Sequence, residues 1–197
     1  MRADLLLIQD WITPGSRVLD LGCGDGSFLA HLKQTKQVRE FGLEIDSENI
    51  RLCLEAGVNV IEQDMDKVGL SNFESGSFDT VVLAQTLQAL HKPDVIVDEM
   101  LRVGKNCILT FPNFAYWRHR MSLLRNGSMP KSPSLPYEWY NTPNLHHCTI
   151  SDFDGLCARK CIKVLNRTVV DDRHRGSFLM HLRPNFFGIN AIYHITR

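Results

Sequence analysis

No sign of charge predominates in this chain: 22 Lys and Arg are matched by 22 Asp and Glu, so the formal net charge is zero. A protein that relies on phosphate contacts usually carries a basic excess, so the balance argues against nucleic acid as a partner. Long apolar runs are missing too. No stretch approaches the ~20 apolar residues of a membrane span. The opening run Leu5 to Ile8, flanked by Arg2 and Asp4, is too short for a secretory leader. None of the six cysteines forms a C-x-x-C pair, which leaves free thiols in a reduced compartment, and a cytoplasmic protein is expected. Internal repeats and low-complexity tracts are absent as well. The 197 residues, 44% apolar and 22% charged, suit one globular domain able to build a core without metals or disulfides.

What is present is an alternation of short apolar runs and helical patterns. Residues 2–12 read as an amphipathic helix ended by Thr13-Pro14-Gly15. Compact strands are expected at Ser16 to Leu21, Val38 to Ile45, Val58 to Ile61, Phe78 to Ala84 and Asn106 to Phe111. Helical spacing links them: Ser27 to Gln34, a helix capped by Ser47 and ended at Gly57, and one opened by Pro93 and stopped at Gly104. Uninterrupted apolar strands suit a sheet covered on both faces, and strand–helix alternation implies a doubly wound, mostly parallel α/β sheet. The pattern changes after Pro112. A helix over 114–125 is closed by Asn126-Gly127, and 128–148 is irregular, holding Pro130, Pro133, Pro136 and Pro143. A loop of that length in a compact domain is a lid, a binding surface or disordered, and Tyr137, Trp139 and Tyr140 argue against disorder. Thr149 to Lys160 reads as a helix with capping-box spacing at Thr149 and Asp152, and Ile162 to Val170 and Asn190 to Thr196 as a closing antiparallel strand pair. The single domain thus divides into a core (1–112), an insert (113–148) and a C-terminal part of the sheet (149–197).

The most informative segment is Leu19-Asp20-Leu21-Gly22-Cys23-Gly24-Asp25-Gly26, between an expected strand and an expected helix. Glycines at that junction allow a tight turn and close backbone approach to a nucleotide-like ligand. The third glycine of a dinucleotide fingerprint is missing, because Ser27 stands in its place. Asp20 and Asp25 would repel a pyrophosphate, whereas an ammonium or sulfonium would be attracted to them. S-adenosylmethionine carries both cations, and S-adenosylhomocysteine keeps the ammonium. Glu44 at the end of the second strand is suited to accept both ribose hydroxyls. Asp64 after the third strand is suited to the adenine amino group, with Ile45 and Met65 sandwiching the base.

The loop, Glu44 and Asp64 together resemble the class I S-adenosylmethionine-dependent methyltransferases over about residues 14–112. That resemblance implies a Rossmann-like, seven-stranded, mostly parallel sheet. It places Asp20 at the methionine ammonium, Gly22, Cys23 and Gly24 along the ligand, Glu44 at the ribose, Asp64 at the adenine and Gln85 beside the sulfur. Further stretches carry a narrower likeness: Gln85-Thr-Leu-Gln88, Glu99-Met-Leu-Arg-Val103, Phe111-Pro-Asn-Phe114 with Trp117-Arg118, Leu135-Pro-Tyr137 with Trp139-Tyr140, Asn141-Thr-Pro-Asn144 and Pro184-Asn-Phe-Phe-Gly188. In these the chain is similar to the methionine biosynthesis protein MetW family over nearly its whole length. The resemblance implies a role in methionine synthesis beside homoserine O-acyltransferase, supported by association.

Machinery for a methyl acceptor is not evident. Phe111-Pro112-Asn113 reverses the order of the N-P-P-[FY] loop and follows a different strand, so a structural turn is expected there. His91 reads as a helix cap or solvent-bonded residue rather than a base. Adjacent His146 and His147 point apart and lack a second ligand pair, so no metal is expected. The glycine loop begins only 21 residues in, so cover for the ligand is expected from 113–148 or from another protein. The aromatics Trp117, Tyr137, Trp139 and Tyr140 either anchor an interface or pack the insert onto its own sheet. Two functional classes stay open: a ligand-binding partner of the acyltransferase, and an active methyltransferase on a small molecule. A nicotinamide oxidoreductase is disfavoured by the loop charges.

Overall fold

A computed structural model describes residues 3–171 and 175–197. Arg2, at the head of the expected first helix, lies outside them. Helix α1 (Ala3–Ile8) and a 3-10 turn (Gln9–Trp11) lead into β1 (Arg17–Leu21), α2 (Ser27–Lys36), β2 (Arg39–Glu44), α3 (Ser47–Glu55), β3 (Val60–Glu62), α4 (Met65–Val68) and β4 (Phe78–Ala84). A second 3-10 turn (Leu87–Ala89) precedes α5 (Pro93–Val103), β5 (Gly104–Pro112), α6 (Trp117–Asn126), α7 (Ile150–Arg159), β6 (Lys163–Val170), α8 (Phe178–Leu182), α9 (Pro184–Phe187) and β7 (Asn190–Thr196).

The seven strands form one sheet in the order β3-β2-β1-β4-β5-β7-β6. The first five run parallel, and β7 runs antiparallel to both β5 and β6. Successive side chains on a strand face opposite ways, and the sequence supplies apolar groups on both sides. Leu19, Leu21, Val81, Leu83, Leu109 and Phe111 face one layer, with Val97, Met100 and Leu101 of α5 and Phe153 of α7. Val18, Val82, Ile108 and Ile192 face the other, with Ile8, Ile12, Phe28, Leu29 and Leu32. Both faces are thereby dry, as parallel strands require.

Several boundaries differ from expectation for local reasons. β3 starts at Val60, because the Val58 amide is used in the turn after α3, donating to Cys53 O at 3.0 Å. Asp46, not Ser47, caps α3: its backbone is extended and its carboxylate accepts from Asn49 N at 2.9 Å. Gly104 both ends α5 and opens β5, where a Cβ would come within 2.5 Å of the Val81 side chain. α6 starts at Trp117 rather than 114, since 113–116 turn around the fully buried Asn113. The capping box at Thr149 and Asp152 is present. The segment 128–148 is irregular, pinned by buried Pro130 and Leu135 and an isolated bridge between Ser132 and Leu135.

Candidate functional site

The glycine loop turns at the carboxyl end of β1, with Gly22, Gly24 and Gly26 at φ of 73°, 57° and 72°. Only glycine adopts that left-handed backbone without strain. Gly22 N and Cys23 N donate to Leu43 O at 2.8 and 3.1 Å, tying the loop across β2. The loop can pack so closely because Gly42 is bare: a Cβ there would lie 2.4 Å from Cys23 Sγ. Glu44 completes the tie. Its Oε2 accepts from Gly24 N at 2.8 Å, and its Oε1 accepts from Ile45 N and Asp46 N at 2.8 and 3.0 Å. A carboxylate accepts about four bonds, so room remains for ligand hydroxyls. Glu44 therefore shapes the loop as well as facing it, a second duty the sequence did not reveal.

A cleft of about 350 Å³ opens on this loop, lined by Asp20, Gly22, Cys23, Gly24 and Asp25, with Ser27, Phe28, Ala84 and Leu5. The volume falls in the ~300–1,000 Å³ range of small-molecule sites. Among the described residues its lining holds two carboxylates and neither Lys nor Arg. Asp20 is buried. The Ser27 amide bonded to Asp25 at 3.0 Å holds that carboxyl below the usual range. Cys23 Sγ lies 3.7 Å from Cys53 Sγ, and burial, followed by the charge of Asp20, pushes the Cys23 thiol well up. Both are neutral packing groups here, and no nucleophilic thiolate faces the cleft.

The other expected residues stand on neighbouring strand ends, outside the lining itself. Ile45 follows β2 and is exposed. Asp64 follows β3 and caps α4, accepting from Asp66 N at 3.0 Å; the ion pair with Lys67 lowers its pKa. Half-buried Met65 comes next. Gln85 follows β4 in a left-handed conformation (φ 59°), its amide donating to Thr110 O and Oγ1 at 3.0 Å each. Asp20, Glu44, Asp64 and Gln85 thus occupy the carboxyl ends of four adjacent strands. Sequence reasoning missed Thr86, whose Oγ1 would lie 3.0 Å from a Cβ on Gly22, and Leu5. Leu5 adds a wall that the sequence reading did not expect. No residue of 113–148 lines the cleft, and α1 supplies a wall instead. It is held there by Ile8 and Ile12 in the core and by Lys36 Nζ donating to Ile12 O at 2.8 Å.

The remaining candidates have structural partners. His91 caps nothing; its Nδ1 pairs with Asp66 Oδ2 at 2.9 Å, joining the second 3-10 turn to α4. His147 stacks on Phe114 at 4.6 Å. Asn113 confirms a structural turn: Oδ1 accepts from Ala115 N, and Nδ2 donates to Gly188 O at 2.8 Å. Trp139 and Tyr140 do not pack on the sheet, being 74% and 70% exposed.

Sheet order, the antiparallel seventh strand and a glycine loop after β1 define a class I S-adenosylmethionine-dependent methyltransferase fold. A methyltransferase of this kind from Mesorhizobium loti superposes with a TM-score of 0.70 at 16% identity, covering 100% of this chain and 98% of that one. One from Archaeoglobus fulgidus gives 0.68 at 14% identity, covering 99% and 92%. The [4+2]-cyclase SpnF gives 0.69 at 17% identity, covering 99% and 80%, so the fold alone does not fix the chemistry. Sequence is more specific. The family described as methionine biosynthesis protein MetW matches residues 2–195, and the chain belongs to that family. A bifunctional methionine biosynthesis protein MetXA/MetW from Rhodopirellula baltica is 40% identical over 178 residues, covering 86% of this chain. The chain spans 28% of that longer protein.

Proposed function

We propose that the chain binds S-adenosylmethionine or S-adenosylhomocysteine in the glycine-loop cleft and, through that ligand, supports a homoserine O-acyltransferase by direct association. The carrying observation is the charge of the cleft: among the described residues Asp20 and Asp25 line it with no basic side chain, a setting that favours an ammonium-bearing ligand over a pyrophosphate. Asp20 faces the amino-acid end of the ligand, Gly22, Cys23 and Gly24 run along it, and Glu44 takes the ribose. Asp64, Ile45 and Met65 take the adenine, and Gln85 stands beside the sulfur. The joint name MetXA/MetW of the longer relative supports a working contact between two proteins of one pathway. The exposed aromatics of 113–148 suit the partner-facing surface.

Co-purification tests the association. The chain and a homoserine O-acyltransferase are expected to elute together, with S-adenosylhomocysteine changing either the complex or the acyltransferase rate. Separate elution with an unchanged rate, under both conditions, would sink the proposal. A second reading, methyl transfer to a small molecule, is favoured by one observation: Gln85 holds a left-handed backbone beside the expected sulfur position, and such conformations gather at active sites. Incubation with methyl-labelled cofactor and a metabolite extract separates the two readings, since only transfer yields a labelled product.

A further inference from the structure

A second cleft, of about 420 Å³, lies at the far end of the sheet between α6, α7, β6 and the α8–α9 corner. Three guanidinium groups from three separate elements line it: Arg120 on α6, Arg167 on β6 and Arg183 between α8 and α9. Asp154, the only carboxylate in the lining among the described residues, accepts from Arg167 Nη1 at 2.6 Å and from Tyr193 OH at 2.8 Å. Among the described residues neither Arg120 nor Arg183 has an ion-pair partner. Arg120 uses Nε to donate to Ala115 O at 2.6 Å and lies over the Phe186 ring at 5.5 Å, which leaves its terminal nitrogens to the cleft.

The first turn of α7 adds donors to the wall. Ile150 and Ser151 form the first turn of the ten-residue helix α7, the positive end of its dipole. Ser151 Oγ accepts from Asn185 Nδ2 at 2.7 Å, so its own hydroxyl hydrogen is free to donate outward. The walls are fixed to one another through the buried Asn113 side chain. It accepts from Ile150 N at 3.4 Å and donates to Asn185 O at 3.1 Å, joining α7 to α9. Like charges gathered on separate elements around one concave wall, held by a buried polar hub, attract an anion.

We propose that this cleft is a binding site for a small dianionic oxyanion, a phosphate ester or a dicarboxylate, separate from the glycine-loop cleft. Among the described residues the lining carries three positive charges and one negative, an excess matching a dianion. The planar forks of Arg120 and Arg183 match carboxylate and phosphate oxygens bidentately. Phe186 supplies an apolar flank for the carbon skeleton. The site is concave and of small-molecule size, which favours a metabolite over an extended acidic peptide.

Thermal shift and calorimetry with inorganic phosphate and with succinate, at ionic strength held constant by sodium chloride, test the site. At least one of the two is expected to raise the melting temperature saturably, and whichever does so identifies the preferred oxyanion. Arg183→Gln is expected to lower that affinity about tenfold, as loss of one charge-assisted contact does. Arg183 is exposed and has no ion-pair partner among the described residues, so the variant should keep the parent melting temperature without ligand. If it does not fold, Arg183→Lys carries the test, with a weaker but real loss. A shift matched by chloride alone, or equal affinity in parent and variant, would overturn the assignment. S-adenosylhomocysteine binding, measured on the same samples, reports the first cleft independently.

Discussion

At the scale of single residues, the candidate site is shaped by polar atoms that serve the loop first and a ligand second. Glu44 secures three backbone amides, so Glu44→Ala should cost stability and, by losing ribose bonds, weaken S-adenosylhomocysteine binding by ~2 kcal/mol. Calorimetry checks the second effect, and unchanged affinity would mean the ribose lies elsewhere. Asp20→Asn should weaken S-adenosylhomocysteine more than methylthioadenosine, which lacks the ammonium; equal losses would refute the electrostatic account. The thiols give a separate check. Burial pushes Cys157 up to about 11 and Cys148 up to about 12, and Cys23 and Cys107 higher, while Cys161 is exposed. Iodoacetamide at about pH 8 should therefore label Cys161 first in the native protein. Peptide mapping that finds Cys23 labelled as fast would contradict its packing. The placement of Asp20, the glycines, Glu44 and Asp64 at successive strand ends was legible because such residues sit at short, regular offsets after strands. Thr86 and Leu5 were not, since their place depends on how β4 and α1 approach the loop, which no local spacing encodes.

At the scale of elements, legibility followed length. β4 and β7 were readable to the residue and α5 nearly so, because apolar runs, Pro93 and Gly104 mark them from both ends. The helices α4, α8 and α9 span four or five residues, too few for a 3.6-residue period to show. Asp46 outcompeted Ser47 as a cap because both residue types qualify and only the backbone angle chooses. Where a motif has two linked parts, the sequence was sufficient. Thr149 and Asp152 bond reciprocally at the head of α7. Thr149→Ala should then cost about 1 kcal/mol by urea denaturation. Because the first turn of α7 also walls the second cleft, the same variant should weaken oxyanion binding there while leaving the first cleft alone. A variant as stable as the parent would mean the cap is redundant.

At the scale of the whole molecule, the two ends of the sheet have different work. The carboxyl ends of the parallel strands carry both clefts, and the amino ends carry a clasp. Asp79 near the start of β4 accepts from Arg17 of β1, through the backbone amide at 3.0 Å and Nε at 3.3 Å, and from Lys105 of β5 at 2.8 Å. The bond to Arg17 and then the one to Lys105 hold its carboxyl far below its ordinary value of 3.8. A carboxylate depressed by folding contributes stability above its unfolded pKa and loses it as pH falls towards the folded value. Asp79 is 30% exposed, so solvent screening limits the contribution, and Asp79→Asn should cost about 1–2 kcal/mol near pH 7. The difference between parent and variant should hold constant down to about pH 5 and narrow towards about pH 3. Urea melts across that range give the measurement, and a gap independent of pH would show that the charge is not what joins the three strands. Since the clasp stands at the opposite edge from the glycine loop, ligand affinity should not change with it. A coupled loss of both would mean that sheet and cleft are not separable, and that the loop geometry depends on the whole sheet rather than on Glu44 and Gly42.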